Sequence, residues 1–523
     1  MNGSFRWALI VGIFAILFAF SAYVCDDAFI TFRAADNFVR GFGPRWNVAE
    51  RVQVFTSPLF ALLFTAPYSL VHNSGAVPDP ARAYWLAIGL SFAISAVGIV
   101  YLLKRHRDLP GFWPLFALLM SSQAFVTFTS SGLETPLVYL VLIWLFADWL
   151  RRDPSSPAGY TSAFTAAGLA LLTRLDLALL VGPVVLHLLV TGWRRLGRGL
   201  FRPLLVGAVP VAAWHLFSLG YFGFLLPNSY YAKLGVDAPQ SLLWWMGQYY
   251  LSQSVKQDPV TLAVCAAALA VAWTNRRTLV AGVGVFLYLA YIGSIGGDFL
   301  GFRFLTPPFL ISAMILIDRL EAWGDWEAWS PHLPRRWPIA VTGMAILYSI
   351  VTPFSPLRAI GEGPRATDVA YYYPASGLAR WRPGASFPFA PFLQVTSLAD
   401  CEQRRAAAPV VALTGDGLNG FCRGPAAYLI DPHGITDPLL ARISVPVTTR
   451  FKPAHIWKPV PAGYMESIRE DANRIADPEL AAFFSRLRTI VAGPLWTRER
   501  WRAIWQMNFT SGARFRGQYE TIR

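Results

Sequence analysis

Charge and cysteine are both scarce in this sequence. Only 15% of its 523 residues are Asp, Glu, Lys or Arg, whereas about a quarter of an average soluble domain is charged. The four cysteines show no spacing of the zinc-binding type. A set of ordinary soluble domains is therefore disfavoured. The chain instead contains 54% hydrophobic residues, with 20 Trp and 37 Phe, which is typical of lipid-facing helices with aromatic belts.

The net charge of +14 does not indicate a nucleic-acid partner, because the basic residues form short clusters between apolar runs and no continuous stripe. The clusters lie at positions 104–107, 151–152, 194–202, 276–277 and 335–336. Basic loops between hydrophobic spans are typical of the cytoplasmic side of a membrane protein. We therefore expect membrane lipids around the chain and no nucleic acid.

A bilayer core requires about 20 apolar residues of helix, and the sequence predicts a polytopic α-helical membrane protein with about eleven transmembrane helices. The predicted spans are residues 7–24, 84–103, 112–129, 136–150, 160–172, 177–192, 203–220, 259–273, 279–294, 304–317 and 338–352. The apolar segment 57–71 is predicted to lie at the interface or to re-enter, because only then do all basic clusters share one side. The N-terminus is then cytoplasmic, and the chain after residue 352 is extracytoplasmic.

This topology brings five polar sequences to the outer ends of the helices. They lie at residues 26–27, 131–134, 173–176, 226–233 and 296–303. A charged side chain near the bilayer is costly unless it faces a polar cavity or a partner. We therefore predict that these sequences share one cavity that opens to the outside.

The last third of the chain is predicted to form an extracytoplasmic α+β domain, residues 353–523, after a transmembrane module at 1–352 whose first outer loop is 25–83. It loses the long apolar runs. A strand is predicted at 410–414, with amphipathic helices at 466–475 and 478–487. Cys401 and Cys422 both lie here, where an oxidising compartment would allow a disulfide. The sequence leaves a bridge and two free thiols equally open.

The acidic pair Asp26 and Asp27 is the strongest catalytic candidate. The residues after it read as a helix that places Arg33 two turns below the acids. A solvated helix end is the plain alternative, but the polar loop continues through Trp46 and Asn47. A carboxylate beside a second carboxylate has a raised pKa, which suits a general base.

Basic side chains near the outer membrane surface are candidates for holding a lipid phosphate. Lys233 and Arg303 are favoured, and snorkelling to the interface is the alternative reading. Arg33 and Arg174 are further phosphate candidates, although Arg174 could instead pair with Asp176. Side chains predicted to contact substrate at this level are Glu134, Asn228, Tyr230, Tyr231 and Asp298. Glu134 could also cap the next helix.

A polar loop in the last third of the chain concentrates acidic and imidazole groups. It contains His433 and Asp437, and His455 and Trp457 follow. Aromatic faces can stack on the C–H surfaces of sugars, so these four residues are predicted to line a sugar-binding lip. The Gly-rich stretch 414–420 is too irregular for a dinucleotide fingerprint and is predicted to be a turn.

Together, these motifs resemble the GT-C class of membrane glycosyltransferases, and within it the AftB/ZomB-like arabinofuranosyltransferase family. The resemblance lies at residues 26–30, 41–43, 46–47, 50–52, 57–59, 131–135, 226–233, 296–299, 303–304, 415–417 and 434–438. This ordered series covers most of the chain. The sequence departs from the family at 173–176, which reads Thr-Arg-Leu-Asp where Arg-Pro-Asp-Gly is expected.

The resemblance implies transfer of an arabinofuranosyl residue from a polyprenyl-phosphate-linked donor, decaprenyl-phosphoryl-D-arabinofuranose, to a glycan or glycoprotein outside the bacterial inner membrane. It implies that the active site faces the periplasm, with Asp26 or Asp27 at the reaction centre. No cofactor is predicted with certainty, and a divalent cation between Asp26, Asp27 and Asp298 stays open. Retention or inversion at the anomeric carbon is also open.

Other functions are compatible with the same pattern. A GT-C enzyme could transfer another lipid-linked sugar, such as mannose or aminoarabinose. A non-enzymatic alternative is a lipid-linked-sugar transporter or a scaffold for motility. A transporter is expected to have repeated halves and helices broken at mid-membrane, and the sequence has no such repeat, so we favour the enzyme.

Overall fold

The structure is a computed structural model. It describes residues 3–323 except 76, 235 and 299, then 372–373, 376–381, 398–407, 411–413, and 417–521 except 450, 452–454, 511 and 518–520. The chain divides into two compact units, each assembled from three separate stretches. The first unit is Met1–Cys25, Ala87–Val211 and Leu243–Pro388, and the second is Asp26–Leu86, Ala212–Leu242 and Phe389–Arg523.

The described residues are mostly helical. The helices up to residue 323 are α1 (Gly3–Ser21), α2 (Ala28–Val39), α3 (Pro58–Val71), α4 (Pro80–Lys104), α5 (Phe112–Ser121), α6 (Gln123–Thr127), α7 (Thr135–Trp149), α8 (Pro157–Thr173), α9 (Ala178–Leu196), α10 (Phe201–Tyr221), α11 (Asn228–Leu234), α12 (Gln240–Gln257), α13 (Pro259–Ala272), α14 (Arg276–Ser294) and α15 (Thr306–Trp323). Those after it are α16 (Leu398–Ala407), α17 (Gly417–Cys422), α18 (Tyr464–Arg469), α19 (Pro478–Val491) and α20 (Arg498–Trp505).

In the part of the chain that the structure describes, four short strands form two parallel pairs. They are β1 (Val236–Asp237), β2 (Val411–Leu413), β3 (Tyr428–Ile430) and β4 (Val445–Pro446). β1 pairs with β4 and β2 with β3, and all four lie in the second unit. The strand predicted at 410–414 is confirmed as β2, and the last third of the chain combines helices with strands as predicted.

The chain is a multi-pass membrane protein. Among the described residues, four helical segments are long and apolar enough to cross a bilayer: α1, α4, the continuous stretch Leu175–Tyr221 and α14. A fifth is counted if α12 and α13, which bend by 109° at their junction, form one span. α3, α5 and α7 are apolar but shorter. The count of eleven stays a prediction, and the span at 338–352 lies outside the described residues.

Two features of the helical part differ from the expectation. The predicted span at 112–129 is two helices, α5 and α6, because the Ser122 hydroxyl accepts a hydrogen bond from the Phe125 N–H at 3.0 Å and begins a new helix. Helix α12 was not predicted, since its Gln, Ser and Lys residues interrupt the apolar pattern. α13 starts anew after α12 because Pro259 has no N–H to continue the helix.

The elements predicted in the last third are found with shifted ends. α19 covers the predicted helix 478–487 and begins at Asp477, whose carboxylate accepts from the Leu480 N–H at 2.7 Å. The helix predicted at 466–475 ends at Arg469, and Asp471 beyond it adopts a left-handed φ of 53°. Cys401 and Cys422 form a disulfide. The predicted domain boundary at 352 lies outside the described residues.

Helices α8 and α10 of the first unit touch backbone to backbone. A Cβ atom at Gly168 would collide with the main-chain oxygen of Gly207. A Cβ atom at Gly207 would in turn lie 2.6 Å from the Cβ of Phe164. Small residues allow this approach, which maximises van der Waals contact where lipid offers no hydrophobic driving force.

We expect Gly168→Ala to destabilise the protein by on the order of 1–3 kcal/mol, because the added methyl group overpacks a backbone contact. Thermal unfolding of the purified full-length protein, followed by tryptophan fluorescence, measures the effect. Gly182→Ala in α9 is the matched control, since nothing lies within 4 Å of its Cβ position. Equal melting temperatures for the two variants would contradict the packing described here.

Candidate active site

Asp26 holds the start of α17. Its two carboxylate oxygens accept hydrogen bonds from the N–H groups of Gly417 and Leu418, at 2.6 and 2.8 Å. A Cβ atom at Gly417 would collide with the main-chain oxygen of Asp26, so glycine is required for this approach. Both oxygens of the Asp26 carboxylate therefore serve the fold through charge-assisted hydrogen bonds.

Asp27 is placed differently from its neighbour. It stands at the N-cap position of α2, with helical φ and ψ, and its side chain makes no capping hydrogen bond to that helix. Like Asp26, it is half-buried. Of the two predicted catalytic acids, Asp27 is thus the one that does not cap a helix start.

Arg33 is buried in the second unit beneath the same helix α17. Its Nε donates to the Trp46 carbonyl at 2.8 Å, one terminal nitrogen to Gly420 and the other to Ala427 at 3.0 Å. The guanidinium also lies 4.8 Å from the Trp46 ring centre. Burial lowers the pKa of Arg33 to about 9. This geometry favours a structural role for Arg33 over the predicted contact with phosphate.

Arg174 lies in a buried ionic cluster of the first unit. Its guanidinium binds Glu134 at 3.0 Å and Asp176 at 3.0 and 2.6 Å. Tyr288 donates to Asp176 at 2.9 Å, and the Phe304 ring centre lies 4.5 Å from the guanidinium. The guanidinium is thus bound by two carboxylates, which favours a structural ion pair over the predicted contact with phosphate. The structure therefore contains the Arg174–Asp176 ion pair, which was the alternative interpretation of the sequence.

Arg303 forms a second ion pair of the first unit, with Nε 3.1 Å from an Asp298 oxygen. The preceding residue, Phe302, has a left-handed φ of 68° although it is not glycine. A bulky residue in this region is strained, and such strain is common at functional sites. The Asp298 carboxylate is buried, and the Arg303 side chain is mostly so.

Asn228, at the start of α11, organises a loop of the last third of the chain. Its amide nitrogen lies 3.0–3.1 Å from the carbonyl oxygens of Gly434, Ile435 and Asp437. Its oxygen accepts from Arg442 at 2.8 Å. Asn228 is 3% exposed, so the geometry favours a positioning role over the predicted contact with substrate.

The other predicted residues of α11 differ in exposure. Tyr231 is buried under Arg442, whose guanidinium lies 4.3 Å from its ring centre and 4.0 Å from that of Phe224. Tyr230 is 43% exposed, and Lys233 is exposed at the end of the helix. Tyr230 and Lys233 are therefore the accessible candidates on α11.

The sequence analysis missed a buried network around Asp437. Asp437 accepts from the Leu440 N–H at 2.8 Å and the Tyr464 hydroxyl at 2.9 Å. Glu50 belongs to the same network and accepts a hydrogen bond from the Asn47 side-chain amide at 3.2 Å. Burial raises the pKa of Asp437 to about 7, and burial with repulsion from Asp437 raises that of Glu50 to about 8. Glu50 lies in the motif 50–52, and this motif is the sequence feature that could have indicated Glu50 as a candidate.

The predicted sugar-binding residues His433, His455 and Trp457 are brought together. The His433 ring lies 5.3 Å from that of His455 and 5.8 Å, edge-on, from that of Trp457. Trp457 is 61% exposed. The His433 Nδ1 is buried and has no hydrogen-bond partner among the described residues. Asp431 fixes the loop by accepting from the His433 N–H at 2.8 Å.

The predicted site residues thus group within each unit. The groups are Glu134 with Arg174, Asp298 with Arg303, Asn228 with Tyr231 and Asp437, and His433 with His455 and Trp457. In the part of the chain that the structure describes, no group of three His, Cys, Asp or Glu side chains is suited to hold a metal ion. The shared outward cavity stays a prediction.

Curated relatives of the chain are glycosyltransferases by name. A terminal β-(1→2)-arabinofuranosyltransferase of Mycobacterium tuberculosis is 32% identical over 263 residues, which cover 46% of this chain and 39% of that protein. The protein of the same name from Corynebacterium glutamicum is 26% identical over 358 residues, covering 58% and 49%. The matches therefore span half the length of these relatives or less. No family model matches the chain.

Solved structures of ArnT from Cupriavidus metallidurans are also similar. The one bound to undecaprenyl phosphate has 15% identity and a TM-score of 0.48, covering 81% of this chain and 84% of that chain. The apo structure has 15% identity and a TM-score of 0.45, covering 82% and 86%. Both TM-scores lie below 0.5, which is too low to establish a shared fold.

We expect the stability of the protein to fall as the pH rises from about 4.5 to 8. In this window the folded protein keeps protons on Glu50 and Asp437 that the unfolded chain has released. Glu50→Gln is expected to remove a large part of this fall in the free energy of unfolding, on the order of 3 kcal/mol. Unfolding free energies measured across this pH range test it.

The control for this prediction is Glu479→Gln, which removes an exposed carboxylate of α19. It is expected to unfold with the pH dependence of the unaltered protein. A Glu50→Gln variant with that same dependence would contradict the buried, protonated state of Glu50.

Proposed function

We propose that the chain is a GT-C type glycosyltransferase of the bacterial inner membrane whose active site faces the periplasm. It transfers an arabinofuranosyl residue from a polyprenyl-phosphate-linked donor to a glycan or glycoprotein outside the membrane. The observation that carries this proposal is the 32% identity over 263 residues to a terminal β-(1→2)-arabinofuranosyltransferase. The membrane-spanning helices support it, because a polyprenyl donor resides in the bilayer.

In the proposed reaction, the acceptor oxygen bonds to the anomeric carbon while the bond from that carbon to the donor phosphate breaks. Asp27 either accepts the proton of the acceptor hydroxyl or stabilises the oxocarbenium-like centre. What supports Asp27 over Asp26 is that both oxygens of Asp26 accept backbone N–H groups of α17. Asp26 then positions its neighbour by holding the start of α2 against this helix.

Two residues are separate candidates for the phosphate of the donor: Lys233 in the second unit and Arg303 in the first. Lys233 is exposed at the end of α11, and Arg303 follows Phe302, whose left-handed φ of 68° is a strained conformation common at functional sites. Arg174, by comparison, faces two carboxylates. A cation at this level attracts the phosphate and stabilises the charge on the departing group.

The acceptor is assigned to the aromatic lip of His433, His455 and Trp457. An exposed indole offers an apolar face for the C–H surface of a sugar. The partly exposed imidazole of His455 in the same cluster offers a polar atom for a sugar hydroxyl. This combination of a stacking face and a polar atom suits a glycan acceptor better than the lipid part of the donor.

We expect Asp27→Asn to lower the transfer rate roughly 10²–10⁴-fold, with an unchanged melting temperature. The assay supplies synthetic decaprenyl-phosphoryl-D-arabinofuranose and an arabinofuranosyl oligosaccharide to membranes containing the variant. Asp26→Asn is the companion variant: its amide can accept at one oxygen only, so it melts earlier and retains transfer per folded molecule. Full transfer by Asp27→Asn would refute the assignment.

We expect Trp457→Ala to raise the KM for the acceptor roughly 3- to 10-fold and to leave the KM for the donor unchanged, because only stacking on the acceptor is lost. Trp496→Ala is the control, since Trp496 is also exposed, at 79%, and stacks instead on Trp501. Equal changes in both variants, or a changed KM for the donor, would count against the lip.

A further inference from the structure

A groove of about 400 Å³ opens on the first unit beside the junction of α9 and α10. Its walls are leucine and valine side chains together with Trp193 and Phe201, whose rings meet edge-to-face at 6.0 Å. Both aromatic residues are more than half exposed, at 54% and 55%. Arg194 is the one charged side chain in the lining. The groove is thus apolar with a basic rim.

The tight junction between the helices concentrates basic residues at this rim. Gly197 turns the chain with a φ of +52°, and a Cβ atom at Gly192 would lie 2.6 Å from Leu200. The end of α9 and the start of α10 are therefore adjacent in space. Arg194 and Arg195 lie in the last turn of α9, Arg198 lies in the connecting turn and Arg202 lies in the first turn of α10, so all four flank the junction.

Three of these arginines lack a counter-charge. Arg194, Arg198 and Arg202 are exposed and form no ion pair with any described residue, whereas Arg195 donates to the Pro154 carbonyl at 2.7 Å. Three positive charges of this kind repel one another and attract an anion. The adjacent groove is apolar, so a ligand that fills the groove and also pairs with these charges needs an apolar chain attached to its anionic group. A free anion has no such chain.

We propose that this groove binds one anionic phospholipid, with an acyl chain against Trp193 and Phe201 and the phosphate on Arg194, Arg198 and Arg202. Guanidinium groups bind phosphate in a fork of N–H donors, and basic pockets beside membrane helices select anionic head groups. In the orientation expected from the basic clusters, the lipid belongs to the cytoplasmic leaflet. This site is separate from the proposed transfer reaction and does not depend on it.

Native mass spectrometry of the purified full-length protein tests the site, with phosphatidylglycerol and phosphatidylcholine of equal acyl chains as probes. The unaltered protein is expected to retain one phosphatidylglycerol in preference to phosphatidylcholine. Arg194→Gln with Arg198→Gln is expected to weaken this binding roughly 25-fold, because each basic side chain contributes about a fivefold preference. Val190→Trp fills the groove without changing its charge and is expected to lower occupancy as well.

The control removes two exposed arginines from other loops on the same predicted side, as Arg107→Gln with Arg276→Gln. It is expected to leave phosphatidylglycerol binding unchanged. Equal loss in the control, equal retention of both lipids, or full occupancy in Val190→Trp would overturn the proposal. Displacement by equimolar undecaprenyl phosphate would also overturn it, by assigning the groove to the carrier lipid. None of these readouts requires glycosyl transfer.

Discussion

The fold of the second unit depends on the hydrogen bonds made by two charged side chains at the start of the first outer loop. Asp26 and Arg33 are seven residues apart, two turns along the chain, and bind opposite ends of α17. The carboxylate takes N–H groups at Gly417 and Leu418, and the guanidinium takes the Gly420 carbonyl. Each charge meets the backbone dipoles of the sign that stabilises it. These hydrogen bonds join residues that are almost 400 positions apart in the sequence.

The same constraint governs the charges of the first unit. A buried charge persists only when it is paired and hydrogen-bonded, and the pairing determines which groups have charge left for a ligand. Around Arg174 the carboxylates of Glu134 and Asp176 outnumber the cation. Arg303 forms an ion pair with Asp298. The fold thus selects the partners of each arginine, and the residue type alone does not indicate them.

Rigid buried networks also support the parts proposed to act on substrate. Asn228 and Arg442 bind the loop that carries Asp437, and Asp431 holds the turn at His433. The imidazole of His433, which contacts the exposed indole of Trp457, is therefore carried by a turn that is held by buried hydrogen bonds. Preorganisation of this kind lowers the entropy lost when a sugar is bound.

Much of the helical framework was determined by the sequence alone, because hydropathy and periodicity are local properties. The spans at 84–103 and 279–294, the helix after Asp27 and the helix at 478–487 all followed from such patterns. The sequence also indicated His433, His455 and Trp457 as one group of candidates, and the structure brings their rings together. Breaks within helices were harder to predict from the sequence, since each depends on a single residue. Ser122 acts through one capping hydrogen bond, and Pro259 acts through its missing N–H.

Only the tertiary structure decided what each charged candidate does. Arg33 and Arg174 have the same side chain, yet one binds three carbonyls and the other two carboxylates. Asp26 and Asp27 are adjacent, yet the Asp26 carboxylate accepts two N–H groups of α17, whereas the Asp27 side chain does not cap α2. These roles depend on partners distant in sequence, and the stability of a buried charge depends on its partners rather than on its neighbours in the chain.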